Sequence, residues 1–125
     1  MASILVVDDD ACSRTYLVAL LNRAGYRVQE ACSGLEGLEQ VARGAIDLII
    51  TDIFMPTMDG LELLAVLDKL HPTNKVIAMS GGGLAMDRKL ALHAAHKFGA
   101  VALIRKPFNV REVIRTVATA LQGVA

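Results

Sequence analysis

The chain has 125 residues, 54% of them hydrophobic, and its 13 basic residues balance its 13 acidic residues. This length favours one domain, and this apolar content excludes an intrinsically disordered chain. A net charge of zero excludes a general attraction to nucleic acid or to an anionic membrane surface. No apolar run approaches the ~20 residues needed to span a bilayer. We therefore expect one domain over residues 1–125, without direct nucleic-acid binding and without membrane insertion.

The two cysteines, Cys12 and Cys32, match neither a disulfide framework nor a metal-binding spacing. We predict two reduced thiols in or near the core. The N-terminus runs directly from Met-Ala-Ser into an apolar segment and carries no pattern typical of a secretion signal. We therefore expect a cytoplasmic protein.

Short apolar runs alternate along the chain with longer segments whose apolar residues recur at helical spacing. Residues 4–7 are continuous and rich in β-branched side chains, which predicts a strand buried on both faces. Residues 110–121 form the clearest helix, with apolar residues at i, i+3, i+4 and i+7. The other predicted strands cover residues 26–31, 47–51, 75–79 and 101–104, and the other predicted helices cover residues 11–24, 34–42, 61–70 and 85–98.

Five strands that alternate with five helices predict an α/β fold, in which helices cover both faces of a parallel sheet. The alternation alone does not determine the order of the strands. It does predict where ligands bind, because the carboxyl ends of parallel strands meet at one edge of the sheet.

Polar side chains stand at the carboxyl ends of four predicted strands. They are Asp8, Asp9 and Asp10 after the first strand, Asp52 after the third, Ser80 after the fourth, and Arg105 and Lys106 after the fifth. Two carboxylates 4 Å apart repel by about 4 kcal/mol at an effective dielectric constant of about 20. Mg²⁺ removes this repulsion, and in proteins it commonly serves phosphoryl chemistry. With an ammonium and a hydroxyl nearby, the sequence predicts a phosphoryl-binding site with a carboxylate as nucleophile.

Four segments then carry a resemblance to a known family. They are Ile-Leu-Val-Val-Asp-Asp-Asp at 4–10, Thr-Asp-Ile-Phe-Met-Pro-Thr-Met-Asp-Gly at 51–60, Ala-Met-Ser-Gly at 78–81 and Ile-Arg-Lys-Pro-Phe at 104–108. In this order and spacing the chain resembles the response-regulator receiver domains of two-component signalling, over essentially its whole length. The resemblance implies a flavodoxin-like, doubly wound, five-stranded parallel sheet with strand order 2-1-3-4-5 and five helices.

The resemblance also implies a phosphoacceptor and a metal site. It assigns Asp52 as the residue that accepts a phosphoryl group from a histidine kinase or a histidine phosphotransfer protein. It implies Mg²⁺ as the cofactor, bound by Asp9, Asp52 and the backbone carbonyl of Phe54, with Asp8 acting mainly through a coordinated water. The domain would assist its own phosphorylation without being an enzyme for an external substrate.

Two further residues would contact the phosphoryl group itself. The resemblance implies that Ser80 hydrogen-bonds a phosphoryl oxygen and that Lys106 pairs first with Asp52 and then with the phosphoryl group. It also implies a cis peptide bond before Pro107. Output would reach an unknown effector protein through the face of the fourth predicted helix, fifth strand and fifth predicted helix. Leu103 replaces an aromatic residue frequent in the family, so the coupling of Ser80 to this face is expected to differ from its usual form.

Two other functions fit part of the sequence. One is a receiver-like scaffold that binds partners without phosphorylation, which the complete set of acidic, hydroxyl and lysine residues disfavours. The other is a haloacid-dehalogenase-like phosphohydrolase with Asp8 as nucleophile and Asp10 as acid, although Cys12 stands where that class has Thr or Val. Asp10 is instead expected to cap the first helix.

A first prediction concerns the lifetime of the phosphorylated form. Phe54 and Gly82 stand at the two positions that flank the attacking water in the family, and neither can hydrogen-bond a water through its side chain. The phenyl ring of Phe54 would also cover the approach of the water, whereas the small Gly82 leaves space for solvent and acts in the opposite direction. We expect hydrolysis to be slower by about tenfold to a hundredfold, or about 1.4–2.7 kcal/mol of barrier, than with an orienting side chain. A decay assay on wild type, Phe54→Asn and Gly82→Glu tests this. An unchanged or slower rate in Phe54→Asn would show that the phenyl ring does not set the lifetime.

Overall fold

The computed structural model describes residues 2–53, 60–70, 74–80, 96–97 and 99–122. Five strands and four helices lie within these ranges. In chain order they are β1 (Ser3–Val7), α1 (Ala11–Arg23), β2 (Arg27–Ala31), α2 (Gly34–Ala42), β3 (Leu48–Asp52), α3 (Gly60–Leu70), β4 (Lys75–Ser80), β5 (Ala102–Arg105) and α4 (Val110–Leu121). The helix predicted over residues 85–98 falls outside the described residues except for His96 and Lys97, which are helical.

The five strands form one parallel sheet in the order β2-β1-β3-β4-β5. This is the order that the family resemblance implied. Because β2 lies on one side of β1 and β3 on the other, the winding reverses between β1 and β3, and ligands bind at such a point. Val7 pairs with Thr51 in the register of these two strands. The residues that follow them, Asp8 and Asp52, therefore lie side by side at the carboxyl edge.

Two apolar layers cover the sheet, one on each face. Alternate residues of a strand point to opposite faces, so Leu5 packs in one layer and Ile4 in the other. The first layer contains Val41 of α2 and Leu67 of α3, and the second contains Leu17 of α1 and further residues of α4. Both faces of the central strands are buried, which explains why their sequences are continuous apolar runs rather than alternating ones.

The predicted bounds of the elements agree closely with the structure. Helices α2 and α4 cover the predicted residues, whereas β3 and β4 each continue one residue past the apolar run. The two added residues are Asp52, which pairs with Met79, and Ser80, which pairs with Arg105. Strand pairing uses backbone groups, so a polar side chain does not end it. Two site residues therefore belong to the sheet itself rather than to the loops after it.

The prediction of cysteines in or near the core was wrong. Cys12 and Cys32 are both unpaired and exposed. Cys12 lies in the first turn of α1, and Cys32 follows the edge strand β2, so neither position faces an apolar layer. Within the described ranges no helix has the length and apolar character needed to cross a membrane.

The cap of α4 provides a test of the fold. The Asn109 side chain accepts a hydrogen bond from the backbone N–H of Glu112 at 3.0 Å. We expect Asn109→Ala to lower the free energy of unfolding by about 1 kcal/mol, because it leaves a helix-terminal N–H without its partner. Urea denaturation measures the change. The control is Asn22→Ala, which alters an exposed residue within α1 and should cause no loss. Equal stability of Asn109→Ala and wild type would contradict the assigned cap.

Candidate functional site

The site lies at the carboxyl edge of the sheet, where β1, β3 and β4 end next to one another. Asp8 directly follows β1 and is fully buried, and Asp52 is the last residue of β3 with 6% of its surface exposed. Ser80 ends β4 and is also buried. Three of the predicted site residues are thus placed by the backbone of adjacent strands, which gives them fixed relative positions.

Lys106 joins the two buried carboxylates. Its Nζ donates to Oδ2 of Asp8 and to Oδ2 of Asp52, each at 2.8 Å. The Lys106 side chain is 16% exposed, so both ion pairs are largely shielded from water. Shielded charges interact more strongly than surface charges, but each also loses its hydration. The ammonium is therefore the main compensation for two carboxylates that the fold removes from solvent.

The loop after β5 brings Lys106 into this position. Its backbone N–H donates to the carbonyl of Ser80 at 2.9 Å, which continues the pairing of β4 and β5 by one residue. The bond from Lys106 to Pro107 is cis, as the resemblance implied. Arg105, which the sequence placed at the same strand end, has an exposed side chain. Of the two neighbouring cations, Lys106 is the one whose contacts with the buried carboxylates are seen.

Burial and ion pairing act in opposite directions on the charged groups. Burial raises the pKa of the Asp8 carboxyl, and the hydrogen bond from Lys106 offsets only part of that effect. Burial alone would lower the pKa of the Lys106 ammonium. The hydrogen bonds to Asp52 and Asp8 outweigh burial, so the pKa of Lys106 is raised and the group stays charged. The site thus combines a firmly charged lysine with an aspartate whose ionised form is less favoured than in water.

Three carboxylates at this edge could hold a metal ion. One oxygen from each of Asp8, Asp9 and Asp52 lies within 4.8 Å of the other two. Two oxygens bound to one Mg²⁺ are at most about 4.2 Å apart, because each lies about 2.1 Å from the ion. The three carboxylates are therefore close enough to share one Mg²⁺ with at most a small adjustment of their side chains. The fourth predicted ligand, the carbonyl of Phe54, lies outside the described residues.

The third aspartate of the acidic run has a structural role. Asp10 is the N-cap of α1, and its side chain accepts from the backbone N–H of Cys12 at 3.3 Å and from the Ser13 hydroxyl at 2.7 Å. The hydrogen bond from Ser13 holds the pKa of the Asp10 carboxyl below its ordinary value. The prediction of Asp10 as a helix cap is therefore confirmed.

Asp8 has little freedom to act as a nucleophile. Its Oδ1 accepts from the backbone N–H of Asp10 at 2.9 Å, and its Oδ2 accepts from Lys106. Both oxygens are therefore engaged and shielded from solvent. This arrangement disfavours the phosphohydrolase alternative, in which Asp8 attacks and Asp10 supplies a proton.

The sequence did not predict the hydrogen bonds of Arg14 that hold the backbone of the acidic run in place. Arg14, in the second turn of α1, donates through a terminal nitrogen to the backbone carbonyl of Asp8 at 2.7 Å. Its Nε donates to Oε1 of Glu30 in β2 at 2.9 Å. The only sequence signal was an arginine four residues after Asp10. The contact to Glu30 depends on β2 lying next to β1, an order that the helix and strand pattern does not give.

Leu103 belongs to the apolar layer formed with α2 and α3, where it is half-buried.

A shallow cavity of about 390 Å³ opens beside the site and is lined by Cys12, Ser13, Tyr16, Lys106, Pro107 and Phe108. The rings of Tyr16 and Phe108 both line it and stack nearly parallel to each other, with centroids 6.0 Å apart. Lys106 is therefore accessible from a surface cavity whose wall includes two aromatic side chains.

Known proteins resemble the chain in both sequence and structure. Residues 4–118 match the family model of the response regulator receiver domain. The chain is 39% identical over 124 residues to the sensor kinase CckA of Brucella abortus, a match that covers 97% of this chain and 13% of CckA. It is 35% identical over 112 residues to the chemotaxis protein CheY of Thermotoga maritima, which covers 89% of this chain and 90% of CheY.

A crystal structure of a response regulator receiver domain protein from Clostridium thermocellum has the same fold. It superposes with a TM-score of 0.88 at 30% identity, over 98% of this chain and 96% of that one. The chain spans only a small part of CckA but nearly the whole of CheY and of the Clostridium protein. Together with the five-stranded parallel sheet and its acidic edge, these matches show that the chain belongs to the family of response regulator receiver domains.

Proposed function

We propose that Asp52 accepts a phosphoryl group with the help of Mg²⁺ and that the phosphorylated domain, residues 1–125, signals to a partner protein. The observation that carries this proposal is the 2.8 Å contact of the Lys106 ammonium with Asp52, inside a cluster of three carboxylates. Receiver domains are typically signalling modules without an external substrate, and we extend that description to this chain. The domain assists its own phosphorylation and dephosphorylation only.

The three carboxylates differ in their fitness to attack phosphorus. Asp8 is fully buried and engaged at both oxygens, whereas Asp9 is exposed and makes a natural metal ligand. Asp52 lies beside Asp8 at the switch point of the sheet, with a small exposed surface and an ammonium at hydrogen-bond distance. This position supports Asp52 as the nucleophile.

The donor set suits Mg²⁺. Three carboxylates and one ammonium leave two net negative charges, which a divalent cation neutralises, and carboxylate oxygens are the ligands that Mg²⁺ prefers. Asp9 and Asp52 would hold the ion directly with the backbone carbonyl of Phe54, and Asp8 through water. When bound, the ion neutralises charge on the phosphoryl oxygens.

In the transfer step, a carboxylate oxygen of Asp52 forms a bond to phosphorus. The bond between phosphorus and the histidine nitrogen of the donor breaks, and its electron pair returns to the imidazole. Lys106 keeps its proton, and its ammonium changes its ion-pair partner from the Asp52 carboxylate to the phosphoryl oxygens. The Ser80 hydroxyl, at the adjacent strand end, donates to one of those oxygens.

The donor is a histidine kinase or a histidine phosphotransfer protein, and the effector is a further protein. We propose that the output surface includes β5 and α4, the described part of the face expected from the family resemblance. Cytoplasmic location belongs to the same proposal, since exposed unpaired thiols such as Cys12 and Cys32 suit a reducing compartment.

Phosphorylation of Asp52 is tested by incubating the protein with Mg²⁺ and acetyl phosphate and locating the label by mass spectrometry. We expect one label per chain on Asp52 and loss of this label in Asp52→Asn, because an amide is not a nucleophile. Asp9→Ala should also reduce labelling by weakening Mg²⁺ binding.

The matched control is Asp10→Asn, which removes a neighbouring carboxylate but retains an equally good helix cap. Full labelling of this variant is expected. Loss of labelling in Asp10→Asn with retention in Asp52→Asn would favour the phosphohydrolase instead. Absence of any label on the wild-type protein would favour the scaffold that acts without phosphorylation.

The pH dependence of stability tests the electrostatic cost of the site. A carboxyl group whose pKa is raised by folding contributes stability below its unfolded pKa, and this contribution is lost as pH rises through the folded pKa. Because the pKa of Asp8 is raised from 3.8, ionised Asp8 opposes folding at neutral pH. We therefore expect Asp8→Asn to be more stable than wild type at pH 7 without Mg²⁺. The gain should disappear well below pH 3.8, where both states of Asp8 hold the proton.

Urea denaturation at the two pH values measures this difference. The control is again Asp10→Asn, which should show no gain at pH 7, because the pKa of Asp10 is lowered rather than raised. Mg²⁺ should stabilise wild type more than Asp8→Asn. A loss of stability in Asp8→Asn at pH 7 would mean that the ion pair with Lys106 outweighs the cost of burial.

A further inference from the structure

The backbone at the end of β1 is held from both sides by contacts with β2. The N–H of Asp8 donates to the carbonyl of Ala31 at 3.1 Å. The carbonyl of Asp8 accepts from Arg14 at 2.7 Å, and Arg14 in turn donates to Glu30 at 2.9 Å. The backbone N–H of Asp8 is therefore bonded directly to β2, and its backbone carbonyl is connected to β2 through the guanidinium of Arg14.

The register of the sheet places Glu30 where it can hold Arg14. Glu30 pairs with Val6 in β1, two residues before Asp8. Its side chain is 51% exposed, whereas that of Arg14 is only 17% exposed. A surface ion pair of this kind adds little stability by itself. Its effect here is to fix the orientation of a mostly shielded guanidinium whose other nitrogen reaches the Asp8 carbonyl.

The Asp8 carbonyl belongs to the peptide bond that leads to Asp9. The Asp9 side chain is exposed, so its position depends mainly on the backbone that carries it. Turning the peptide between Asp8 and Asp9 would swing the Asp9 carboxylate away from the oxygens of Asp8 and Asp52. A donor on the Asp8 carbonyl prevents that rotation.

We propose that Arg14 is a positioning residue for the divalent cation of this site, acting through the Asp8 carbonyl and held in place by Glu30. The inference rests on the proposed function, because it assumes that the cluster of Asp8, Asp9 and Asp52 binds Mg²⁺. Arginine suits this role since its planar guanidinium donates in two fixed directions, which a lysine ammonium does not.

The positive charge of Arg14 means that the direction of the change in Mg²⁺ affinity, when Arg14 is replaced, distinguishes positioning from simple electrostatics. A positive charge close to a cation site repels the cation, so removing it should tighten Mg²⁺ binding if electrostatics alone mattered. Loss of positioning acts in the opposite direction. Removing a group that orients metal ligands typically weakens metal affinity by about tenfold to a hundredfold.

The experiment measures Mg²⁺ affinity of wild type, Arg14→Met, Glu30→Gln and the double variant by NMR titration or calorimetry, since the chain has no Trp. We expect Arg14→Met to bind Mg²⁺ about tenfold or more weakly than wild type. Glu30→Gln should cause a smaller loss. The double variant should bind no more weakly than Arg14→Met, because both residues act through one contact.

The control is Arg23→Met, which removes the same charge from the exposed last turn of α1, about 13 Å along the helix from Arg14. It should leave Mg²⁺ affinity within twofold of wild type. Unchanged or tighter binding by Arg14→Met would overturn the inference while leaving the proposed function intact. Additive losses in the double variant would overturn it too, and this cycle needs only that the variants stay folded by circular dichroism.

If Arg14→Met does not fold, Glu30→Asp decides the question against Glu39→Asp, which shortens an exposed glutamate of α2. Both variants keep their charge, and only Glu30→Asp shortens a side chain that reaches Arg14. A larger loss in Glu30→Asp supports the inference, and equal effects overturn it. Wild-type protein that binds no Mg²⁺ would overturn the proposed function, and the inference with it.

Discussion

The Lys106 ammonium joins carboxylates that lie 98 and 54 residues away from it along the chain. No local segment could form this arrangement, since it needs β1, β3 and the loop after β5 to end at the same edge. Taking charges out of water is costly, and a buried pair is stabilising only when its geometry is good and its remaining atoms are satisfied. The second oxygen of Asp8 meets that condition through the backbone N–H of Asp10. The parallel sheet therefore supplies both the proximity and the partners that the cluster requires.

The free energy gained by burying the two apolar layers offsets the cost of burying the charged groups of the site. Each face of the sheet is covered by helices, and the strands beneath the site are buried on both sides. Such layers stabilise by roughly 25 cal/mol for each square ångström of apolar surface buried. The carboxylates then remain close together although the ionised form of Asp8 opposes folding. Because the negative charge of the carboxylates is only partly neutralised by Lys106, a bound cation would lower the free energy of the site. Part of that binding free energy could then stabilise a different conformation of the domain.

Most of the fold could be predicted from the sequence because its signals are local. Helices α2 and α4 follow from apolar spacing, and the buried strands follow from continuous runs of Ile, Leu and Val. Strand order could not be derived in this way and came from the resemblance to a family. The exposed cysteines could not be predicted either, since exposure depends on which side of a helix or which edge of the sheet a residue occupies. The same reason explains why the Arg14 contacts were missed: they join elements whose adjacency is a property of topology.

Strand β2 has a further consequence, because it forms an open edge of the sheet. Unpaired backbone groups on an edge can recruit a strand from another molecule, and charged side chains there oppose such pairing. Arg27 and Glu30 are exposed on this strand, and Glu30 is fixed by its contact with Arg14. The exposed charges of Arg27 and Glu30, with the Gln40 side chain that donates to the Glu30 carbonyl at 2.8 Å, therefore oppose the addition of a further strand at this edge.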